Sequence, residues 1–395
     1  MEFIKIEQLE MIMLIGAIVA ILAKRLKIPY TVGMVIAGIV ITFLPLEFNG
    51  NFSKPLLFGV LLPPLIFEDA IYLSWKWLRR ELPLVMAYAT IGVLLSAGVT
   101  AVFMHFLVGW TWEAAILFGV LIAATDPVSV IATFKEAKVR GRLKMLVESE
   151  SLVNDATAAV AFSAALVFAM GHEVSAISSI IEVSISIVGG VFCGLLIGGG
   201  ILLIVGRSTD DLVDLALTTV AAFGSFWLAE KFHLSGVLAT MTAGILIGNT
   251  VSFGFFSEES RKLSTSFWKF GAFAVNSIIF VMIGITIASR DFLVSIVPIA
   301  IAIVAVLIGR ALAIYPVSLL FARSDLKISA AHQHVMVWGG LRGALGLALA
   351  LGIPDEFPFR QQIILVTFAV VAFSVFVQGL TMKPLLKSLK QVSEG

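Results

Sequence analysis

Ala123-Ala124-Thr125-Asp126-Pro127-Val128-Ser129 decides the fold, because it sets a charge and a helix breaker inside an apolar run at 114–134. Its approach, Ile116-Leu117-Phe118-Gly119-Val120-Leu121-Ile122, is that of a helix with no water around it. Pro127 has no backbone donor and its ring clashes with the preceding turn, so helical hydrogen bonding is expected to fail around residues 122–126. Carbonyl oxygens and the Thr125 hydroxyl then become free ligands, and Asp126 supplies charge. Oxygens of this kind suit a hard cation such as Na⁺. A plainer reading fits as well: a proline kink whose Asp126 caps the lower half-helix, where the dipole favours a carboxylate. The two readings are compatible.

The rest of the chain supports a membrane setting. Of 395 residues, 59% are hydrophobic and 13% charged, about half the charge that a soluble domain carries. A bilayer crossing needs about 20 mainly apolar residues. That ruler finds about thirteen segments, near 8–23, 30–46, 55–74, 83–108, 114–134, 145–170, 177–205, 211–229, 234–250, 265–288, 292–322, 329–352 and 359–386. The expectation is an all-α polytopic membrane protein forming a single membrane domain over 1–395, with no soluble domain. The N-terminus lacks a basic region and cleavage site, so the first apolar segment reads as a retained span.

Loop charge tests the count. Lys24, Arg25 and Lys27; Lys76, Arg79 and Arg80; Lys135, Lys138, Arg140, Arg142 and Lys144; Arg207; Arg261, Lys262 and Lys269; Arg323 and Lys327; Lys383, Lys387 and Lys390 all fall on one side. The other side holds Lys5, Lys54, Lys231, Arg290 and Arg360. Positive loops stay cytoplasmic, so the N-terminus is expected outside and the C-terminus inside. The formal net charge of +1 gives no pull towards nucleic acid. Cys193 is alone, which excludes an internal disulfide. His105, His172, His233, His332 and His334 form no metal-ligand pattern.

An odd span count can hold two halves of six (8–170 and 211–386) around a linker span at 177–205. Such halves have opposite orientation, the inverted-repeat plan of many secondary transporters. Corresponding spans then lie seven apart, which pairs the fifth with the twelfth. Both carry helix breakers beside an ionisable residue: Asp126-Pro127, and Gly339-Gly340-Leu341-Arg342-Gly343.

Charges in hydrocarbon are costly and mark partners, cavities or ions. In Glu150-Ser151-Leu152-Val153-Asn154-Asp155, Ser151 and Asp155 share one helix face and Glu150 and Asn154 the adjacent one. Asp155 therefore presents a carboxylate beside a hydroxyl, as an ion ligand or as a helix-packing hydrogen bond. Arg342 needs an anion, and Glu150 is the candidate partner for a structural ion pair. Glu68 and Asp69 lie in the third span and Arg310 in the eleventh. A Glu68–Arg310 pair is a second candidate, which spacing does not establish. Asn276 reads as polar glue between helices.

With these residues in hand, the chain resembles the monovalent cation:proton antiporters, specifically the prokaryotic NhaP branch and the animal sodium/proton exchangers. The motifs are LLPPLIFEDA (61–70), AATDPVSV (123–130), ESLVNDA (150–156), FWKF with NSIIFVMIG (267–284) and GGLRGALGLAL (339–349). The resemblance implies a dimerising domain and a core domain whose two interrupted helices cross near the ion. It implies that Thr125, Asp126, Ser151 and Asp155 surround Na⁺, with Asn154 alongside and Glu150 paired with Arg342. Asn154-Asp155 stands where electrogenic relatives have Asp-Asp, which implies electroneutral one-for-one exchange. A homodimer in a prokaryotic plasma membrane follows from the same likeness. So does a transporter that is not an enzyme and has no cofactor besides the transported Na⁺ and H⁺. The regulatory partners of the animal exchangers' long tail are not expected.

The physical expectation is that Asp155 crosses the membrane only when it holds H⁺ or Na⁺, since a bare carboxylate in a low-dielectric core is strongly disfavoured. The nearest alternative is a K⁺/H⁺ antiporter of the same fold. An intramembrane aspartyl protease using Asp126 and Asp155 lacks the expected Gly-x-Gly-Asp context. A passive channel lacks a repeated ring of pore charges.

Overall fold

The computed structural model describes residues 6–26, 28–43, 56–139, 141–171, 176–205, 210–250, 257–289 and 296–391. Lys5, Lys27, Lys54, Arg140, Arg207, Arg290 and His172 lie outside the described residues, as do the span ends expected at 44–46, 55 and 292–295. Every described element is helical. The helices are α1 (Ile6–Leu26), α2 (Tyr30–Thr42), α3 (Leu62–Ile71), α4 (Trp75–Val108), α5 (Trp112–Leu121), α6 (Val128–Glu136), α7 (Arg142–Ala169) and α8 (Ala176–Val205). They continue as α9 (Asp211–Lys231), α10 (Gly236–Thr250), α11 (Glu258–Ser289), α12 (Ile296–Leu320), α13 (Ala330–Trp338), α14 (Ala344–Leu351) and α15 (Arg360–Ser388).

Each expected span contains a helix, and two spans contain a helix, a break and a second helix. The starts follow local chemistry. Thr111 accepts from the Ala114 amide, Asp210 from Leu212 and Val213, and Ser329 from His332. Each satisfies a donor that the first turn leaves free. α4 ends at Gly109, whose φ of +81° is open to glycine at little cost.

The helices sort into two bundles. One holds α1, α2, α3, α9, α10 and α11, with α8 against α9 and α10. The other holds α4, α5, α6, α7, α12, α13, α14 and α15. In span order, the first bundle contains spans one to three and eight to ten, and the second contains four to six and eleven to thirteen. That division respects the seven-apart pairing, because each span lies in the same bundle as its counterpart. The fifth and twelfth, the two interrupted ones, meet directly.

Close helix approach depends on small residues. α2 and α11 touch through Gly38 and Gly284: a Cβ on Gly38 would collide with the Val281 carbonyl, and one on Gly284 with the Val35 carbonyl. Nothing flexible stands there to yield. A Gly38→Val variant is therefore expected to lose at least the ~1–3 kcal/mol typical of overpacking, read as a lower melting temperature in detergent. Gly98→Val is the control, since nothing lies within 4 Å of its Cβ position. Equal melting of the two variants would refute the tight crossing.

Candidate functional site

The two breaks form the centre of the site. After α5, the chain runs unwound through Thr125 and Asp126 before α6 begins. After α13, it runs unwound through Leu341 and Arg342 before α14 begins. The breaks hold each other: the Asp126 amide donates to the Leu341 carbonyl at 2.8 Å. Arg342 Nη1 donates to the carbonyls of Ala123 at 2.8 Å and Ala124 at 3.1 Å. These are orphan acceptors just past the end of α5, where the dipole is negative and a cation is favoured. A Cβ on Gly343 would overlap the Asp126 side chain, so glycine is needed for the crossing to close. The Val128 amide donates to Asp126 Oδ1 at 2.8 Å, which is the capping role expected for that carboxylate.

α7 lies against the first break. Ser151 Oγ donates to the Thr125 carbonyl at 2.5 Å, and Thr125 Oγ1 donates to Ser151 Oγ at 3.3 Å. Asn154 Nδ2 donates to Thr125 Oγ1 at 3.3 Å and to Glu150 Oε1 at 3.2 Å. Asp155 has a buried Oδ1 with no hydrogen-bond partner, and so does the Asn154 side-chain oxygen. Asp126 and Asp155 line one cleft between the two bundles. Thr125, Leu152 and Gly343 lie on the same wall, and the opposite wall brings Leu62, Leu65, Ile66 and Asp69 of α3 with Asn276 of α11.

Both expected ion pairs are corrected. Glu150 pairs with Arg310 instead of Arg342: Nη1–Oε1 is 2.7 Å and Nη2–Oε2 is 2.9 Å, both residues being buried. Arg310 also donates to the Met336 carbonyl, from Nε at 3.2 Å and Nη2 at 3.1 Å. Its side chain lies against Gly340, where a Cβ would not fit. The guanidinium thus ties α7, α12 and α13 together. The physical reason for the correction is that the freed carbonyls after α5 already serve Arg342, whereas Arg310 faces α7 across the second bundle. The Glu68–Arg310 pair is overturned by the same contact. Glu68 forms no ion pair among the described residues.

Two further residues line the cleft, Asp69 and Asn276. Leu62, Leu65, Ile66 and Asp69 follow the spacing of a single helix face. That stripe was available in the sequence; which bundle it faces was not. Asn276 lines the cleft rather than merely joining helices. Among the described residues, no group of three or more His, Cys, Asp and Glu could hold a metal ion. His334 Nδ1 lies 2.8 Å from the Tyr315 hydroxyl.

A bundle with two interrupted helices crossing at a carboxylate-lined cleft defines a secondary transporter. Residues 11–388 match the family described as sodium/hydrogen exchanger, transmembrane, and the chain belongs to that family. It is 38% identical to the Na(+)/H(+) antiporter ApNhaP of Aphanothece halophytica, over 93% of this chain and 71% of that one. It is 31% identical to the Na(+)/H(+) antiporter NhaH of Halobacillus aidingensis, over 97% of each. The fold matches the sodium proton antiporter MjNhaP1 from Methanocaldococcus jannaschii at pH 8, with a TM-score of 0.78 and 20% identity over 98% of this chain and 99% of that one.

Proposed function

We propose that the chain exchanges Na⁺ for H⁺ one for one, with both ions competing for Asp155. The observation that carries this reading is the buried, unpartnered Asp155 Oδ1 in the cleft that it shares with Asp126. A carboxylate so placed gains most from a proton or a cation, and an empty one is costly. Asp126, Thr125 and Ser151 complete an oxygen shell for Na⁺, and Asn154 orients Thr125. The names of the relatives, Na(+)/H(+) antiporters, support Na⁺ as the cation.

Thr125, Asp126, Ser151 and Asp155 belong to one bundle, while Asp69 and Asn276 belong to the other. Sliding one bundle past the other opens the cleft to alternate sides without dismantling the ion shell. The protein acts as a homodimer in the plasma membrane, N-terminus outside, with Lys24, Arg25, Arg79, Arg80, Lys135 and Lys138 on the cytoplasmic side.

The test is proton flux in liposomes of purified protein, with Na⁺, Li⁺ and K⁺ compared across pH. Exchange is expected with Na⁺ and not K⁺, and it should be unaffected by a clamped membrane potential. Because H⁺ competes with Na⁺, each unit of acidification below the carboxyl's titration should raise the half-saturating Na⁺ about tenfold. A half-saturating Na⁺ that stays flat with pH, or flux that continues without counter-ion, would sink the proposal.

A further inference from the structure

The seam between the N-terminal ends of α9 and α11 carries a second cluster of oxygens, separate from the cleft. Asp211 and Asp214 lie in the first turn of α9. Ser257 precedes α11, and Ser260 and Ser264 follow on it. Ser260 Oγ lies 2.8 Å from Asp214 Oδ2 and also contacts Asp211 Oδ1. Ser257 Oγ lies 2.7 Å from Asp211 Oδ1 and 3.1 Å from Ser260 Oγ. A hydroxyl has one proton to donate, so Ser260 cannot serve both carboxylates at once.

Two further atoms are left over. Asp214 is 4% exposed and its Oδ1 has no hydrogen-bond partner; Ser264 is 5% exposed and its hydroxyl has none either. Both lie on the same seam. The Ser260–Asp214 contact is on one side of them; on the other, Trp268 Nε1, one turn beyond Ser264, donates at 3.1 Å to Thr218 Oγ1, one turn beyond Asp214. Neither carboxylate forms an ion pair among the described residues. The helix dipoles favour negative charge at both N-termini, but a dipole does not supply a partner to a buried oxygen.

We propose that this seam is a cation site distinct from the transport cleft. It is built from the carboxylates of Asp211 and Asp214 and the hydroxyls of Ser257, Ser260 and Ser264, and it takes a hard divalent cation, Ca²⁺ in particular. The donors are all oxygen, as hard cations require, and two carboxylates neutralise a doubly charged ion. Ca²⁺ accepts six to eight oxygens in flexible geometry, whereas Mg²⁺ demands a near-ideal octahedron. With only two carboxylates, affinity falls at the weak end of the range for such sites, about 0.1–1 mM. An occupied site fastens α9 to α11, the helix that carries Asn276 to the cleft.

The test is equilibrium binding of ⁴⁵Ca²⁺ to the purified full-length chain in detergent with excess Na⁺, together with melting temperature against Ca²⁺, Mg²⁺ and Na⁺. Saturable Ca²⁺ binding and a Ca²⁺-dependent rise in melting temperature are expected in the unaltered chain. Asp214→Asn should abolish both, and Ser260→Ala should weaken binding several-fold. The variant's own melting temperature is not the readout, because removing a crowded charge can raise it. An Asp155→Asn chain should bind Ca²⁺ normally, which separates this site from the transport cleft. Absence of saturable Ca²⁺ binding to the unaltered chain, or binding that Asp214→Asn leaves intact or Asp155→Asn removes, would overturn the proposal. In the first case an ordered water fills the seam instead.

Discussion

Replacing Asp155 with Asn is expected to abolish exchange, at least 100-fold, while the protein still folds and inserts. The side chains are nearly equal in volume, so packing on α7 is unchanged. Asp155 Oδ1 has no hydrogen-bond partner to lose, the amide oxygen of Asn can still accept from the Thr125 backbone, and removing a charge from a buried cleft relieves a desolvation cost. The melting temperature should therefore hold or rise. Transport is a different matter. An amide neither titrates nor neutralises a cation, so the variant has one state where the mechanism needs two. Dequenching in liposomes reads the flux, and melting in detergent reads the fold. Robust, pH-dependent Na⁺ exchange by the variant would remove Asp155 from the centre of the mechanism. Asp126→Asn should act in the same direction but also weaken the cap on α6, since an amide accepts less strongly from the Val128 N–H.

The second large effect is on stability. Glu150→Ala or Arg310→Ala leaves a bare charge inside the second bundle, and each should cost roughly 3–5 kcal/mol. Arg310→Ala also strips the Met336 carbonyl of its donors. The double variant Glu150→Leu with Arg310→Met should be much less damaged than either single, because no charge is then left unpaired. Expression yield and melting temperature of the four proteins form the cycle. Additive losses would mean that the 2.7 Å contact does not behave as a pair. Arg342→Ala is expected to be milder, roughly 1–3 kcal/mol, since it leaves two neutral carbonyls without a donor and no bare charge.

These effects divide along the line between what is local and what is not. Length and hydropathy of the runs determined that the chain crosses a membrane many times, because hydrocarbon offers no partner to an open backbone. Pro127 and the glycines at 339, 340 and 343 determined where two of the crossings break. Spacing on α7 determined that Ser151 and Asp155 share a face. All of these are properties of a segment and its immediate neighbours, and they were legible in the sequence.

Which charge meets which was decided by the tertiary structure. Arg310 and Arg342 are equally buried cations to anyone reading the sequence. Only the rotation of α12 against α7, and the crossing that brings carbonyls 123 and 124 to Arg342, assigns Glu150 to the former. Asp69 was present in its helical stripe, but the stripe acquires meaning only once α3 faces α7 across the cleft. A single carboxylate has no sequence signature for its partner. Its partner is whichever opposite group the packing of distant helices leaves within about 3 Å, and that choice is made by side-chain volumes and glycine contacts summed over the whole molecule.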